Sequence, residues 1–122
     1  CTYDQARNLA YLLGMVIDVD GRRPLLGGGG GGLSGPAMHP VAVRAVYDCR
    51  AAHPDLPIIG VGGIGTARDA VELMLAGANA VQVGTASFAD PRAPGLVLEG
   101  LRQWCATARV RRITALVGGA HG

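Results

Sequence analysis

The sequence predicts an α/β chain assembled from parallel strand–turn–helix units. Three observations predict it: an apolar run at 56–61 that stops at Gly62-Gly63, an amphipathic segment behind a capping signal at Thr66, and a second apolar run at 80–83 that stops at Gly84-Thr85. Strands that alternate with helices in this way pair in parallel, with right-handed crossovers.

Taken in order, residues 27–32 are six consecutive glycines. One reading is a flexible loop, because glycine loses the most entropy on ordering. The other is a loop whose backbone approaches a ligand closely, and the residues that follow the run add weight to it. Residues 40–52 read as a helix with Val43, Val46 and Tyr47 facing inward and Pro54 beyond its end. The run at 56–61 is rich in β-branched residues and suits a strand buried on both faces. Thr66 followed by Asp69 is an N-cap with an acid three residues on. Ala67, Ala70, Val71 and Met74 then share one helical face, and Gly77 supplies the stop. After the strand at 80–83, Pro94 opens a third helix whose inner stripe is Val97, Leu98, Leu101 and Cys105.

Composition narrows the classes. The chain has 122 residues, a formal net charge of +2, and 49% apolar residues, which suits one modest domain over 1–122 with no linker. A closed eight-stranded (β/α) barrel takes about 250 residues and seldom fewer than about 200, so this length admits only part of one. No apolar run reaches the roughly 18 residues of a membrane span. Residues 1–10 contain Asp4 and Arg7 and lack the layout of a secretory signal, so a soluble, cytoplasmic protein is expected. Cys1, Cys49 and Cys105 form no Cys-x-x-Cys pattern, and free thiols, with no metal, are the expectation. The positive charge is spread out without interleaved aromatics, so neither nucleic acid nor a membrane is expected as a partner.

Three glycine turns carry the chemistry: Gly31-Gly32-Leu33-Ser34-Gly35-Pro36, Gly62-Gly63-Ile64, and Gly84-Thr85. The last two follow apolar strands, so they sit at strand carboxyl ends, where (β/α) units carry ligands and often a phosphate. Glycine lets backbone N–H groups close on an anion, and a helix N-terminus behind the turn adds a favourable partial charge. The hydroxyl of Thr85 can donate to a phosphate oxygen. The plain alternative, turns that need positive φ and nothing more, stays open at this level.

The sequences Leu33-Ser-Gly-Pro-Ala-Met, Pro57-Ile-Ile-Gly-Val-Gly-Gly-Ile64 and Leu75-Ala-Gly-Ala-Asn-Ala-Val-Gln-Val-Gly-Thr-Ala86 resemble class 1 dihydroorotate dehydrogenase. Leu12-Leu-Gly-Met15, Ile17-Asp-Val-Asp20 and Ile113-Thr-Ala-Leu-Val117 are similar to it too. Gly-Gly-Leu-Ser-Gly-Pro-Ala is most similar to the NAD-linked catalytic subunit. The resemblance implies the C-terminal βα units of an FMN-dependent (β/α)8 TIM barrel that oxidises dihydroorotate to orotate in de novo pyrimidine (UMP) biosynthesis. It places FMN, chiefly its phosphate, on Gly35, Gly62, Gly63, Gly84 and Thr85. It implies dihydroorotate as substrate and an iron–sulfur flavoprotein electron-transfer subunit as partner. Open sheet edges add the expectation of self-association into a homo-oligomer. Two alternatives stand beside this: a non-catalytic, truncated half-barrel that binds phosphate or flavin, and a related flavin barrel such as dihydropyrimidine dehydrogenase.

The chain departs from the family over 1–11. Ala10 and Tyr11 stand where the family carries an Asn-Thr pair that contacts the pyrimidine, and Asn8 lies two residues too early. The family's catalytic cysteine and flavin-contacting lysines belong to earlier strands, so no residue here is read as catalytic. The six-glycine run replaces several family residues and reads as loop filler. His39, His53 and His121 read as surface residues, Asp18 and Asp20 as an exposed segment, and Arg109, Arg111 and Arg112 as charges at a helix end. Ser34 lacks a base, Cys49 and Cys105 read as structural thiols on helices, and Phe88 and Trp104 read as packing residues.

Overall fold

The structure, a computed structural model, describes residues 13–122. Cys1, Asn8, Ala10 and Tyr11, on which the departure over 1–11 rests, lie outside the described residues. By contact the chain divides into two compact units, one ending at Leu33 and one from Ser34 to Gly122.

In the first unit, β1 (Leu13–Gly14) pairs antiparallel with β4 (Gly31–Gly32), and β2 (Ile17–Asp18) pairs antiparallel with β3 (Arg23–Pro24). Asp18 closes the β2–β3 turn, its carboxylate accepting the Gly21 N–H at 3.0 Å. The glycine run is therefore more than loop filler. Its last two residues form a strand, because ladder pairing uses N–H and C=O groups and needs no side chain. The Leu26 side chain occupies the space a Cβ on Gly31 would enter, 2.7 Å away.

The second unit starts with a 3₁₀ turn at Pro36–Met38 that runs into α1 (His39–Ala52). Then come β5 (Ile59–Val61), α2 (Ala67–Ala76), β6 (Ala80–Gln82), the single-turn α3 (Ala86–Ala89), α4 (Ala93–Thr107) and a 3₁₀ turn at Ile113–Leu116. β5 and β6 pair in parallel across α2, the expected βαβ unit. Helix α2 is the centre of the core. Ala70 and Leu73 are fully buried, and they join Val46 of α1, Ile64, Val71, Ala76, Ala78, and Val97 and Leu101 of α4. Burying one side chain the size of Leu73 stabilises by about 1.5–3 kcal/mol. The helix ends at Gly77, whose φ of +127° lets its N–H reach the carbonyls of Leu73 and Met74.

Four packing expectations need correction. On α1, Val43 and Val46 pack on the core but Tyr47 is exposed. β5 is covered on one face only: Gly60 is buried against Leu73 and Ala78, whereas Ile59 is 65% and Val61 52% exposed. Alternate strand residues point to opposite faces, and the helices cover just one face of this two-stranded sheet. In α4, Val97 and Leu101 are buried but Leu98 is half exposed, one step around the helix from Val97. Phe88 packs on nothing; it is 92% exposed on the four-residue α3. Trp104 packs against the core, and Cys49 and Cys105 are half-buried free thiols, as expected.

Candidate anion-binding turns at the carboxyl ends of β5 and β6

The register Ile59–Ala80, Gly60–Val81, Val61–Gln82 sets the carboxyl ends of β5 and β6 side by side. Gly62-Gly63 and Gly84-Thr85 therefore leave the sheet at the same edge. Gly62 and Gly63 have φ of +137° and +64°, a region that costs an L side chain about 1–2 kcal/mol. Packing forbids a side chain at both. A Cβ on Gly62 would lie 2.6 Å from Cβ of Ala42. One on Gly63 would lie 2.8 Å from the carbonyl oxygen of Gly35 and from the backbone nitrogen of His39. That contact joins the first glycine turn to the second. Gly35 itself is buried, with φ of +103°.

Gly84 differs from these. It is not held at positive φ, and a Cβ there would meet nothing within 4 Å. Neither conformation nor packing inside the chain demands a glycine, and the space beside it is open. Thr85 beside it is exposed, and its hydroxyl makes no cap bond to α3.

The helix starts contribute less than the sequence suggested. Thr66 and Asp69 form a complete capping box on α2. The Asp69 carboxylate accepts from the N–H groups of Gly65 and Thr66 at 3.0 and 2.8 Å and from the Thr66 hydroxyl at 2.9 Å. Burial pushes this carboxyl up, but the Gly65 N–H, the Thr66 hydroxyl and N–H, and the nearby His39 ring outweigh it, leaving it below the ordinary carboxylate range. The protein's own carboxylate thus already takes the N–H groups of Gly65 and Thr66 just ahead of α2, and the Thr66 hydroxyl takes the N–H of Asp69. α3 is one turn long and adds little dipole.

His39 is the residue the sequence reading misplaced. It is buried, 8% exposed, where α1 passes under the second turn. Its Nδ1 lies 2.9 Å from the carbonyl oxygen of Gly62, and its Nε2 lies 3.2 Å from Glu72 Oε2 and 4.0 Å from Asp69 Oδ1. The available signal was its place four residues after Gly35 at a helix start, which makes it the helix residue nearest the glycine turns. His121 is also no plain surface group: it stacks on Tyr47 with ring centroids 3.9 Å apart, and its Nε2 meets the Ala76 carbonyl at 2.9 Å. His53 is exposed just past the end of α1, as expected, and Arg109 lies beyond the last residue of α4. Arg50 reaches from α1 to the turn between α2 and β6. It donates to the Gly77 carbonyl at 3.1 and 2.7 Å and to Asn79 Oδ1 at 2.8 Å.

A model of the family described as dihydroorotate dehydrogenase matches residues 6–104. The chain belongs to the dihydroorotate dehydrogenase family. All three glycine turns lie inside the matched span. The catalytic subunit of dihydroorotate dehydrogenase B (NAD(+)) from Desulforudis audaxviator is 56% identical over 110 residues, covering 90% of this chain and 36% of that protein. Its namesake from Trichlorobacter lovleyi is 50% identical over 111 residues, covering 91% and 36%. The chain therefore spans about a third of the length of these dihydroorotate dehydrogenases. Among solved structures, the enzyme from Eimeria tenella in complex with ferulenol superposes with a TM-score of 0.71 at 27% identity, over 88% of this chain and 30% of that one. The α/β class and the partial (β/α) barrel expected from the sequence hold. No described helix is long and apolar enough to cross a membrane.

Proposed function

We propose that this chain is the FMN-binding C-terminal part of a dihydroorotate dehydrogenase that oxidises dihydroorotate to orotate in pyrimidine biosynthesis, a single partial-barrel domain over 1–122. One observation carries the reading most. Two turns leave adjacent parallel strands at one edge, and the second contains a glycine, Gly84, that the fold itself does not require. A phosphate is the group such a place suits, with close backbone approach at Gly84, a free hydroxyl at Thr85, and turn peptides at Gly62 and Gly63. The family supplies the flavin. Gly35 acts beneath the site, its carbonyl packed under Gly63.

When bound, FMN is the two-electron acceptor for the dihydropyrimidine. The part of this chain is to hold and orient the phosphate end. The relatives' name as an NAD(+)-linked catalytic subunit supports a partner that passes electrons onward, an iron–sulfur flavoprotein subunit. Ile59 and Val61 on the uncovered sheet face favour a second reading, a half-barrel that binds flavin phosphate without turning over substrate. The test is the visible spectrum of the purified protein under anaerobic titration with dihydroorotate. A flavin band that bleaches supports the enzyme, and a band that stays supports the half-barrel. Protein that takes up no flavin even with FMN added contradicts both.

A further inference from the structure

We infer that His39 is a positioning residue for the phosphate turn: by holding the Gly62 carbonyl it aims the Gly63 N–H at the ligand. The inference rests on the reading of Gly62-Gly63 as part of an FMN-phosphate site. It starts from peptide geometry. No peptide bond among the described residues is cis, and in a trans peptide the C=O and N–H point in opposite directions. The carbonyl of Gly62 and the N–H of Gly63 belong to one such plane. Since the carbonyl is turned toward His39 Nδ1 at 2.9 Å, the Gly63 N–H points away from His39.

A glycine pair at positive φ has many conformations open to it, so something must select this one. His39 does so with two contacts. Its ring holds the carbonyl, and its backbone nitrogen and Cβ fill the space where a Gly63 side chain would stand. Chemistry fixes the proton at the first contact: a carbonyl only accepts, so Nδ1 carries the hydrogen and donates. On the other side Nε2 meets Glu72 at 3.2 Å, with Asp69 at 4.0 Å. These two carboxylates of α2 are the titratable groups that face the ring, and because a carboxylate only accepts, Glu72 holds Nε2 in the form of the ring that carries a hydrogen there as well. The ring side chain is 10% exposed against 58% for Glu72, so the histidine is the buried, fixed partner.

The experiment compares FMN with riboflavin, which lacks the phosphate, by quenching of flavin fluorescence. Wild type, His39→Leu and His39→Asn are measured, with melting temperatures alongside. His39→Asn keeps an N–H donor near the Nδ1 position, while His39→Leu keeps bulk and loses the donor. The expected result is that His39→Leu lowers the preference for FMN over riboflavin by about tenfold or more. Riboflavin affinity should stay in place, and His39→Asn should restore most of the preference. An unchanged preference in folded His39→Leu overturns the inference. Should that variant fail to fold, His39→Asn decides alone, and loss of its FMN preference overturns the inference equally. A wild-type protein that binds both flavins alike overturns the phosphate reading instead, so the two failures are told apart.

Discussion

The carbonyl oxygen of Gly35 occupies the space that a side chain on Gly63 would need, 2.8 Å from where its Cβ would lie. Two glycine turns separated by a helix and a strand are thereby fitted to each other. The same crowding does not extend to Gly84, where nothing approaches within 4 Å.

That contrast separates stability from binding. Gly63→Ala meets both a positive φ and a filled space, and is expected to destabilise by about 2–4 kcal/mol. Gly84→Ala is expected to leave the melting temperature within about 2 °C of wild type while weakening FMN binding. Thermal melts with and without FMN check both. A Gly84→Ala protein that binds FMN as wild type does would remove the second turn from the site.

The capping box on α2 carries a pH signature. Thr66→Ala is expected to cost about 1 kcal/mol at neutral pH. The Asp69 carboxyl titrates lower in the folded chain than in the unfolded one. Its contribution is therefore complete above the ordinary aspartate range, about pH 4, and lost as pH falls through the folded value. Urea unfolding of wild type and Asp69→Asn should diverge at neutral pH and converge in acid. Parallel curves at all pH values would contradict the capping role.

Arg50 ties α1 to the turn that follows α2, with one guanidinium serving the Gly77 carbonyl, Asn79 Oδ1 and the Pro54 carbonyl. Its stem also lies where a Gly77 Cβ would stand, 2.5 Å away. Arg50→Lys keeps the charge but not the planar fork, so it is expected to lose about 1–3 kcal/mol, nearly as much as Arg50→Ala. Chemical denaturation of the two variants decides this. Full stability of the lysine variant would show that charge alone suffices.

Much of this was legible in the sequence, for reasons visible in particular residues. Thr66, Asp69 and Gly77 announced α2 because capping is local chemistry, and the cap forms as read. The paired ends of β5 and β6 were legible because apolar runs stop at glycine. His39 was not, because its partners, Gly62 and Glu72, are 23 and 33 residues away, and no local pattern encodes such a contact. The exposure of Ile59 and Val61 was also hidden. Their composition describes a strand fit to be covered twice, whereas cover depends on which elements fold against it. The β1–β4 pairing was not legible either, because a glycine strand has no side-chain pattern. Phe88 misled for the opposite reason: an aromatic invites a core assignment, but a one-turn helix supplied no surface to receive it.

The central claim is that the turns after β5 and β6 grip a flavin's phosphate. The phosphorus-31 resonance of FMN, recorded with wild-type protein and with Gly84→Val at matched melting temperature, tests it most directly. The bound resonance is expected to be displaced from that of free FMN in wild type and returned to the free position by Gly84→Val. A flavin ring that fluorescence shows to be bound, with a phosphorus resonance unchanged from free FMN in both proteins, would contradict it.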